Sequence, residues 1–282
     1  MFDTNEEVVE AFNKFDIKKF IPGVTSDFDK VLEKTFRTNI NIVTEEIKLH
    51  ENNQSESADD LISIMLEKRK ALPEFFDIKD LIPITIDIFA AGTGTTASTL
   101  MWAMYNLRNE QDIQVELRQE LMNVIGMKML EPNDIEKLPK LTAFILETLR
   151  FLPIVREGLP HKVLEEFYVK GYRIPKGSII FANHYEVLHD PSCWKHPNKF
   201  SLDNFLSSDK TSVVNHSGYL ISFGEGPRKC PGEKLAKIEL YVYLAAIIQN
   251  FKVVPIENNS KKFREEDMRG NLTDLGVTFL EL

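Results

Sequence analysis

The residue with the most distinctive surroundings in this sequence is Cys230, which lies in a glycine-rich stretch that leads directly into a helical pattern. Residues 223–229 read FGEGPRK, and their glycines and proline predict a tight turn whose backbone N–H groups converge on the sulfur. Gly232 lets the first turn of a helix over 233–249 pass close to a flat ligand, and helix N-terminal N–H groups favour an anionic sulfur. The pattern predicts a thiolate used for chemistry, whereas the alternative is a buried structural cysteine in a loop.

The phenylalanine, glycines and arginine around this cysteine have the spacing that resembles the haem-binding loop of the cytochrome P450 family. The resemblance implies that haem is the cofactor and that Cys230 is its axial iron ligand and the only metal ligand. It also implies that Arg228 contacts a haem propionate and that Phe223 packs beside the sulfur, while Gly224 and Gly232 shape the loop. A thiolate ligand pushes electron density onto haem iron and favours cleavage of the O–O bond.

The composition indicates a globular protein in a reducing compartment. The chain has 282 residues, of which 43% are hydrophobic, which is enough for one large domain or two small ones. A formal net charge of −9 argues against a nucleic-acid-binding surface. Two cysteines form no disulfide framework, and there is no run of about 18 apolar residues and no signal-like or anchor-like segment after Met1.

The second cysteine, Cys193, is expected in a strand-to-loop region that lacks the glycine turn. His189, Cys193 and His196 have loosely the spacing of zinc ligands. Structural zinc sites in proteins almost always have four protein ligands. Because only three donors are present and the HDP segment resembles an ordinary turn, the pattern favours no zinc site.

Apolar residues at helical spacing predict a chain rich in amphipathic helices. Two or three helices are predicted over residues 1–50, and a further helix is opened by Asp59 and Asp60 and ends near Leu72. Later in the chain, helices are predicted over 109–127 and 141–151, with a short helix over 132–138 between them.

A long apolar helix is predicted from about Asp77 to Arg108, and its middle, AAGTGTTAS over 90–98, is unusually small and hydroxyl-rich. A glycine inside a helix costs up to about 1 kcal/mol relative to alanine. Close approach of a ligand or a local opening of the helix should compensate for this cost. The alternative is that small residues only permit tight helix packing.

This small-residue stretch resembles the family's distal helix, which implies that Thr95 lies beside bound dioxygen. Ala91, one turn earlier, then lines the haem pocket together with Ala90. Gly94 stands where the family usually has Asp or Glu, so the carboxylate of the ordinary proton relay is missing. Asp87 shares the same helix face and either caps a neighbouring loop or pairs with a basic substrate.

Glu147 and Arg150 lie three residues apart on a predicted helix, a spacing that is also common for exposed ion pairs. In the family this Glu-x-x-Arg motif is a buried clamp, completed by a second arginine from the loop before the cysteine. Asn204 occupies that place here, and a neutral amide cannot make a bidentate charged contact. The clamp then either tolerates a weaker partner or is less stable.

Short β-rich segments lie between the clamp motif and the cysteine. Strands are predicted over 165–169, 172–174 and 178–182, with turns at 170–171 and 175–177, and together they form a small β-meander. Further strands are expected within 250–282.

The segment 153–163 resembles the family loop that feeds a strand into the substrate pocket. The resemblance implies that His161 contacts a haem propionate, although an ordinary hydrogen-bonded loop histidine is the alternative. It also implies that Val155, Gly158, Leu159 and, near the C-terminus, Leu272 face the substrate.

Arg228, Lys229, Lys234 and Lys237 form a basic cluster around the cysteine loop. A solvated helix face explains such a cluster without a partner. In the family, however, this proximal surface docks an acidic, NADPH-dependent flavin reductase. The resemblance therefore implies a reductase, dioxygen and an apolar small molecule as partners, and no nucleic acid.

The resemblance covers essentially the whole chain and implies a mainly α fold with a small β part, the cytochrome P450 fold incomplete at its N-terminal side, in one haem-thiolate domain over 1–282. The sequence is similar to the C-terminal portion of a eukaryotic microsomal-type member, so a fragment or truncated product without the membrane anchor is expected. The implied function is monooxygenation at the cytoplasmic face of the endoplasmic reticulum membrane. Two alternatives stay open: a haem-thiolate isomerase or dehydratase that needs no reductase, and a non-catalytic remnant.

Overall fold

The computed structural model describes residues 27–52, 60–74, 78–214, 216, 218–256 and 277–282. The described residues up to Ala91 form one unit, and those from Gly92 onward form a second. The expectation of a single domain stays a prediction. The helices expected before residue 27 and the pocket residue Leu272 lie outside the described residues.

The first unit contains helices α1 (Asp27–Asn52) and α2 (Leu61–Ala71) and the first part of helix α3 (Ile78–Asn109). Asp60 caps α2 as predicted, because its side chain accepts a hydrogen bond from the Ser63 N–H at 2.8 Å. The core of the unit is formed by Ile47, Leu66 and Leu81, which are all buried.

The second unit is mainly helical and contains the bulk of the hydrophobic core. Its further helices are α4 (Gln111–Val124), α5 (Pro139–Phe151), α6 (His184–Leu188) and α7 (Glu233–Asn250), with 3-10 turns at Pro132–Lys137, Leu202–Asn204 and Gly226–Arg228. Helices α4 and α5 both pack on α7, and Leu117, Phe144 and Leu244 are buried among them. No helix in the described part of the chain is both long and apolar enough to cross a bilayer.

Six short strands form three separate antiparallel pairs among the described residues. They are β1 (His161–Lys162) with β4 (Ile179–Ile180), β2 (Phe167–Val169) with β3 (Tyr172–Ile174), and β5 (Phe251–Pro255) with β6 (Val277–Glu281). The prediction of a mainly α fold with a small β part is confirmed.

The predicted β-meander is wrong, because β3 does not pair with β4. The turn that contains Gly177, at a φ of 87°, carries the chain back toward β1. There Val163 N donates to Ser178 O at 2.9 Å and Gly177 N donates to Val163 O at 2.8 Å. These hydrogen bonds lie next to the pairing of β4 with β1, whereas β2 and β3 form a separate hairpin.

Helix α4 is joined to β5 by two glutamines: Gln111, which donates to Val253 O at 2.9 Å, and the buried Gln114. Gln114 donates to Val253 O at 2.9 Å and accepts from Val253 N at 2.7 Å. It also donates to Leu107 O at 3.2 Å. The side chain therefore satisfies both backbone groups of a fully buried strand residue, which would otherwise be costly to bury.

We predict that Gln114→Ala lowers the free energy of unfolding by about 2 kcal/mol, because it leaves the buried Val253 N–H without a partner. Urea denaturation of the chain, followed by far-UV circular dichroism, measures the change. Val115→Ala, at an exposed position of the same helix, is the control and should change stability much less. Equal midpoints for Gln114→Ala and the parent would contradict the assigned role.

Candidate active site

The loop before α7 presents Cys230 at the surface of the described residues. Cys230 is exposed and makes no disulfide. Its backbone N donates to Phe223 O at 2.9 Å, which closes the loop around residues 224–229. Ser222 Oγ donates to Leu149 O at 2.9 Å and ties the start of the loop to α5. The thiol therefore lies on a short loop whose two ends are held by hydrogen bonds.

Two glycines in this loop have left-handed backbone conformations, as a tight turn requires. The φ angles are 74° at Gly224 and 75° at Gly226, which side chains other than that of glycine rarely adopt. Gly232 has no such constraint, but a Cβ there would lie 3.8 Å from Cys230 Sγ. Its missing side chain therefore leaves room beside the sulfur.

The predicted convergence of N–H groups on the sulfur is not found, because the loop uses these groups internally. Gly224 N donates to Ile221 O at 2.8 Å, and Lys229 N donates to Gly226 O at 3.1 Å. No hydrogen bond among the described residues ends on Cys230 Sγ. The helix N-terminus at Glu233 follows directly, as predicted.

The residues of this loop fit a haem thiolate. A cysteine thiolate is a suitable iron ligand. The Cys230 side chain is exposed, and Gly232 leaves space beside its sulfur. Phe223 is half-buried and packs against the core, while Arg228 is exposed and could reach an anionic group.

The small-residue stretch of α3 is helical throughout. Of the two compensations considered for its glycines, a local opening of the helix is therefore not found, and close approach of a ligand stays a prediction. No atom within 4 Å would meet a Cβ at Gly92 or Gly94. In the second unit Gly94 and Thr95 are exposed, whereas Thr96 and Thr99 are buried. Thr99 Oγ1 donates to Thr95 O at 2.9 Å. The buried threonines account for part of the hydroxyl content, and Thr95 presents its side chain outward.

In the first unit α3 also carries three of the predicted pocket residues. Asp87, Ala90 and Ala91 are exposed. The helical spacing places Asp87 and Ala91 one turn apart on one face, as predicted.

Glu147 and Arg150 form the buried pair that the motif predicts. Both side chains are completely buried. Arg150 Nε and Nη2 each donate to one carboxylate oxygen at 2.7 Å, so the contact is bidentate. The other N–H groups of Arg150 donate to backbone carbonyls, those of Leu188, His196, Pro197 and Lys199.

Asn204 completes the clamp as a neutral partner. Its Nδ2 lies 3.1 and 3.2 Å from the two oxygens of Glu147, and its Oδ1 accepts from His196 N at 2.9 Å. Ser201 N adds a hydrogen bond of 2.8 Å to the same carboxylate. Of the two possibilities set out above, this geometry supports a clamp that tolerates a weaker partner.

Burial raises the pKa of Glu147 above its usual range, while hydrogen bonds from Arg150, Ser201 and Asn204 act in the opposite direction. The clamp therefore combines a costly desolvation with a nearly complete set of hydrogen bonds.

The predicted pocket segment leads into β1. His161 is exposed, and its backbone pairs with Ile180. Val155 is half-buried, Leu159 is 69% exposed and Gly158 is buried with a φ of 69°. A Cβ at Gly158 would lie 2.8 Å from Ala182 O and 3.1 Å from a ring atom of His184, so the segment approaches its neighbour closely.

The proximal basic cluster contains an internal anion that the sequence reading missed. Glu233 pairs with Lys229 and with Lys237, each at 2.7 Å. Burial would raise the pKa of Glu233, but the two lysines outweigh it and lower the pKa. The spacing of four residues on either side of Glu233 could have revealed this arrangement. Lys237 Nζ also lies 5.7 Å from the centre of the Phe223 ring.

The surroundings of Cys193 differ from the prediction. Cys193 lies in a turn after α6, where its N donates to Asp190 O at 3.0 Å, and not beside a strand. In the part of the chain that the structure describes, no group of three or more potential ligands could hold a metal ion.

Comparisons with known proteins point to one family. The family model for cytochrome P450 matches residues 1–276. The chain is 32% identical to cytochrome P450 1A1 of Canis lupus familiaris over 83% of this chain and 46% of that protein. It is 35% identical to cytochrome P450 2D3 of Rattus norvegicus over 86% and 49%, and 35% identical to carnosic acid synthase of Salvia pomifera over 75% and 43%. The chain thus spans about half the length of the curated relatives it matches.

We predict that Asn204→Ala lowers the free energy of unfolding by about 2 kcal/mol, because the buried Glu147 carboxylate loses a donor and the part-buried His196 N–H loses its acceptor. At pH 8, Asn204→Asp should lower the free energy of unfolding more than Asn204→Ala does, since it places a second carboxylate against Glu147. A carboxyl group beside a like charge has a raised pKa in the folded state. The loss should therefore shrink as the pH falls toward about 5.5.

Urea denaturation at both pH values measures these effects. The control is Asp203→Ala, an exposed neighbour in the same 3-10 turn. An Asn204→Asp variant as stable as the parent at pH 8 would refute the role of the amide in the clamp.

Proposed function

This chain belongs to the cytochrome P450 family, and we propose that its Cys230 loop binds haem in a monooxygenase that oxidises an apolar small molecule. The observation that carries the proposal is the exposed thiol of Cys230 on a glycine-shaped loop, fastened to α5, directly before a helix. The name of one relative, carnosic acid synthase, supports a small organic product.

The proposed reaction consumes one dioxygen, one NADPH and one proton for each substrate molecule. One oxygen atom enters a C–H bond of the substrate to give an alcohol, and the other leaves as water. The two electrons come from NADPH through a flavin reductase. When bound, haem supplies the activation of dioxygen, which the thiolate ligand promotes.

The side chains of this chain hold the site and handle protons. Cys230 ligates the iron as a thiolate, with Gly224 and Gly232 shaping the loop around it. Arg228 and His161 are exposed cations or hydrogen-bond donors suited to the two haem propionates. The positions proposed to face the substrate are Asp87, Ala90, Val155, Gly158, Leu159 and Leu272, with Ala91 beside the haem.

Thr95 is proposed to hold water at the oxygen site and to pass protons to it. The neighbouring Gly94 has no carboxylate to assist, so the hydroxyl works with solvent. A hydroxyl can donate a hydrogen bond to water and accept one from it, and so help to hold water at the site. The absence of an acidic residue at position 94 should therefore make proton delivery inefficient.

The proposed partner surface is the basic cluster of Arg228, Lys229, Lys234 and Lys237. Such a basic cluster attracts an acidic flavoprotein electrostatically. This attraction raises the rate of association more than it raises the final affinity. Glu233 neutralises part of the cluster by pairing with Lys229 and Lys237. Among the described residues no ion pair involves Arg228 or Lys234, which makes these two the leading contacts. We further propose, from the resemblance to microsomal-type members, that the protein works at the cytoplasmic face of the endoplasmic reticulum membrane.

We predict that Cys230→Ser abolishes the thiolate-type absorption band of the reduced, carbon-monoxide-bound protein, because serine is not a thiolate donor. The measurement is the visible difference spectrum of haem-reconstituted chain. Cys193→Ser is the matched control and should keep the band. A band that persisted in Cys230→Ser would exclude Cys230 as the ligand.

We predict that Gly94→Asp and Gly94→Glu increase the share of NADPH electrons that end in product rather than in hydrogen peroxide, in a reconstituted full-length form. A Cβ at position 94 meets no atom within 4 Å, so both variants should fold. Product, peroxide and NADPH consumption are measured together. Gly92→Asp, also unobstructed, is the control; an unchanged ratio and rate in both position-94 variants would make Gly94 a neutral departure.

A further inference from the structure

The pocket segment around Val155 and Gly158 is docked onto the start of α6 at two points. Tyr185 N donates to Arg156 O at 2.9 Å. Two residues further on, Gly158 approaches Ala182 O and His184 so closely that a Cβ would not fit. Backbone contacts of this kind fix the path of a segment that has no regular secondary structure of its own before β1.

The side chains of the same region form a continuous stack. The guanidinium carbon of Arg156 lies 4.0 Å from the centre of the Tyr185 ring. On α6 the Tyr185 and His189 rings are stacked, with centres 4.0 Å apart and planes at 24°. His189 Nδ1 lies 2.9 Å from Tyr185 O, which holds the imidazole in this orientation. An arginine over a tyrosine face is a favourable cation–π contact.

The stack reaches the buried clamp. The ring centres of His189 and Phe151 are 5.7 Å apart, and the Arg150 guanidinium carbon lies 5.4 Å from the centre of the Phe151 ring. Arg150 itself is bound by Glu147 and by the carbonyl of Leu188, the last residue of α6. The inner end of the stack therefore rests on a rigid, completely buried group.

We propose that Arg156 and Tyr185 are positioning residues that hold segment 155–159 against α6 and thereby set the shape of the substrate side of the haem pocket. The inference rests on the proposed function for its chemical meaning. The residues that carry it are independent of Cys230 and Thr95. Neither Arg156 nor Tyr185 was singled out by sequence reasoning.

The physical basis is the difference between a fixed and a loose segment. Few regular backbone hydrogen bonds are made by Val155, Gly158 and Leu159. The positions of these residues therefore depend on the contact between Arg156 and Tyr185, which joins the segment to α6. If the segment were looser, large iron ligands would bind in the pocket less tightly, because the apolar part of the ligand would have to order mobile side chains. Small ligands that do not reach the segment would be unaffected.

Amide hydrogen exchange of the 282-residue chain tests the positioning itself. We expect Arg156→Ala and Tyr185→Leu to speed exchange over residues 155–161 on the order of tenfold, with little change in α4 or α7. Tyr185→Phe keeps the ring and should exchange like the parent, and Arg156→Lys, which keeps the charge without the planar group, should be intermediate. Unchanged exchange in Arg156→Ala and Tyr185→Leu would overturn the inference.

Ligand titration of the haem-reconstituted chain tests the effect on the pocket. The probes are 4-phenylimidazole and imidazole, followed by the absorption shift that iron ligation causes. We expect Arg156→Ala to weaken 4-phenylimidazole roughly three- to tenfold and to leave imidazole unchanged, with Tyr185→Phe like the parent. Equal weakening of both probes would indicate general destabilisation and overturn the proposal.

The two hypotheses fail in different ways. A parent chain that shows no thiolate-type spectrum would overturn the proposed function, while the exchange measurement would still decide whether the stack positions the segment. Faster exchange with an unchanged ratio of the two affinities would refute a role in the pocket.

Discussion

The buried ion pair of Glu147 and Arg150 is the interaction on which the loops of the second unit depend. All five N–H donors of Arg150 are engaged, two with Glu147 and the others with carbonyls of α6 and of residues 196–199. Residues 196–199, unlike α6, have no helix or strand. Removing the carboxylate from a buried guanidinium costs about 3–5 kcal/mol, so the guanidinium of Arg150 stays beside Glu147. The loops in turn are held in the conformation in which their carbonyls accept hydrogen bonds from Arg150.

The cysteine loop inherits its position from the same helix. Leu149 lies between the two clamp residues, and its carbonyl accepts the hydrogen bond from Ser222 at the base of the loop. Phe223, the next residue, packs against the core cluster that α5 helps to form. Fixing the helix thus fixes the base from which the loop extends, and the left-handed glycines then determine where the sulfur emerges.

The sequence was informative wherever local chemistry decides the structure, and less so where distant residues meet. The longer helices follow from apolar periodicity, whereas the five-residue helix α6 was not predicted. The Cys230 loop follows from glycines that adopt positive φ. The Glu-x-x-Arg pattern could not by itself distinguish a buried pair from a surface pair, and the family resemblance decided that point correctly. The strand pairing failed, because β1 is only two residues long and gives no periodic pattern. The stack on Tyr185 joins α6 to Arg156 and Phe151, which are distant in sequence, so the spacing of Tyr185 and His189 alone could not reveal these contacts.

The two departures from the family pattern, at Asn204 and at Gly94, are not equivalent. At position 204 an arginine would add a second buried positive charge beside a single carboxylate, whereas asparagine leaves the clamp neutral and still supplies a donor and an acceptor. The hydrogen bonds of the clamp are therefore kept at a lower cost of desolvation. At position 94 the departure supplies no such substitute, because glycine has no side chain that could donate or accept a hydrogen bond. Under the proposed function, proton delivery would then rely on the Thr95 hydroxyl and solvent, so we expect the departure at Gly94 to affect function rather than folding.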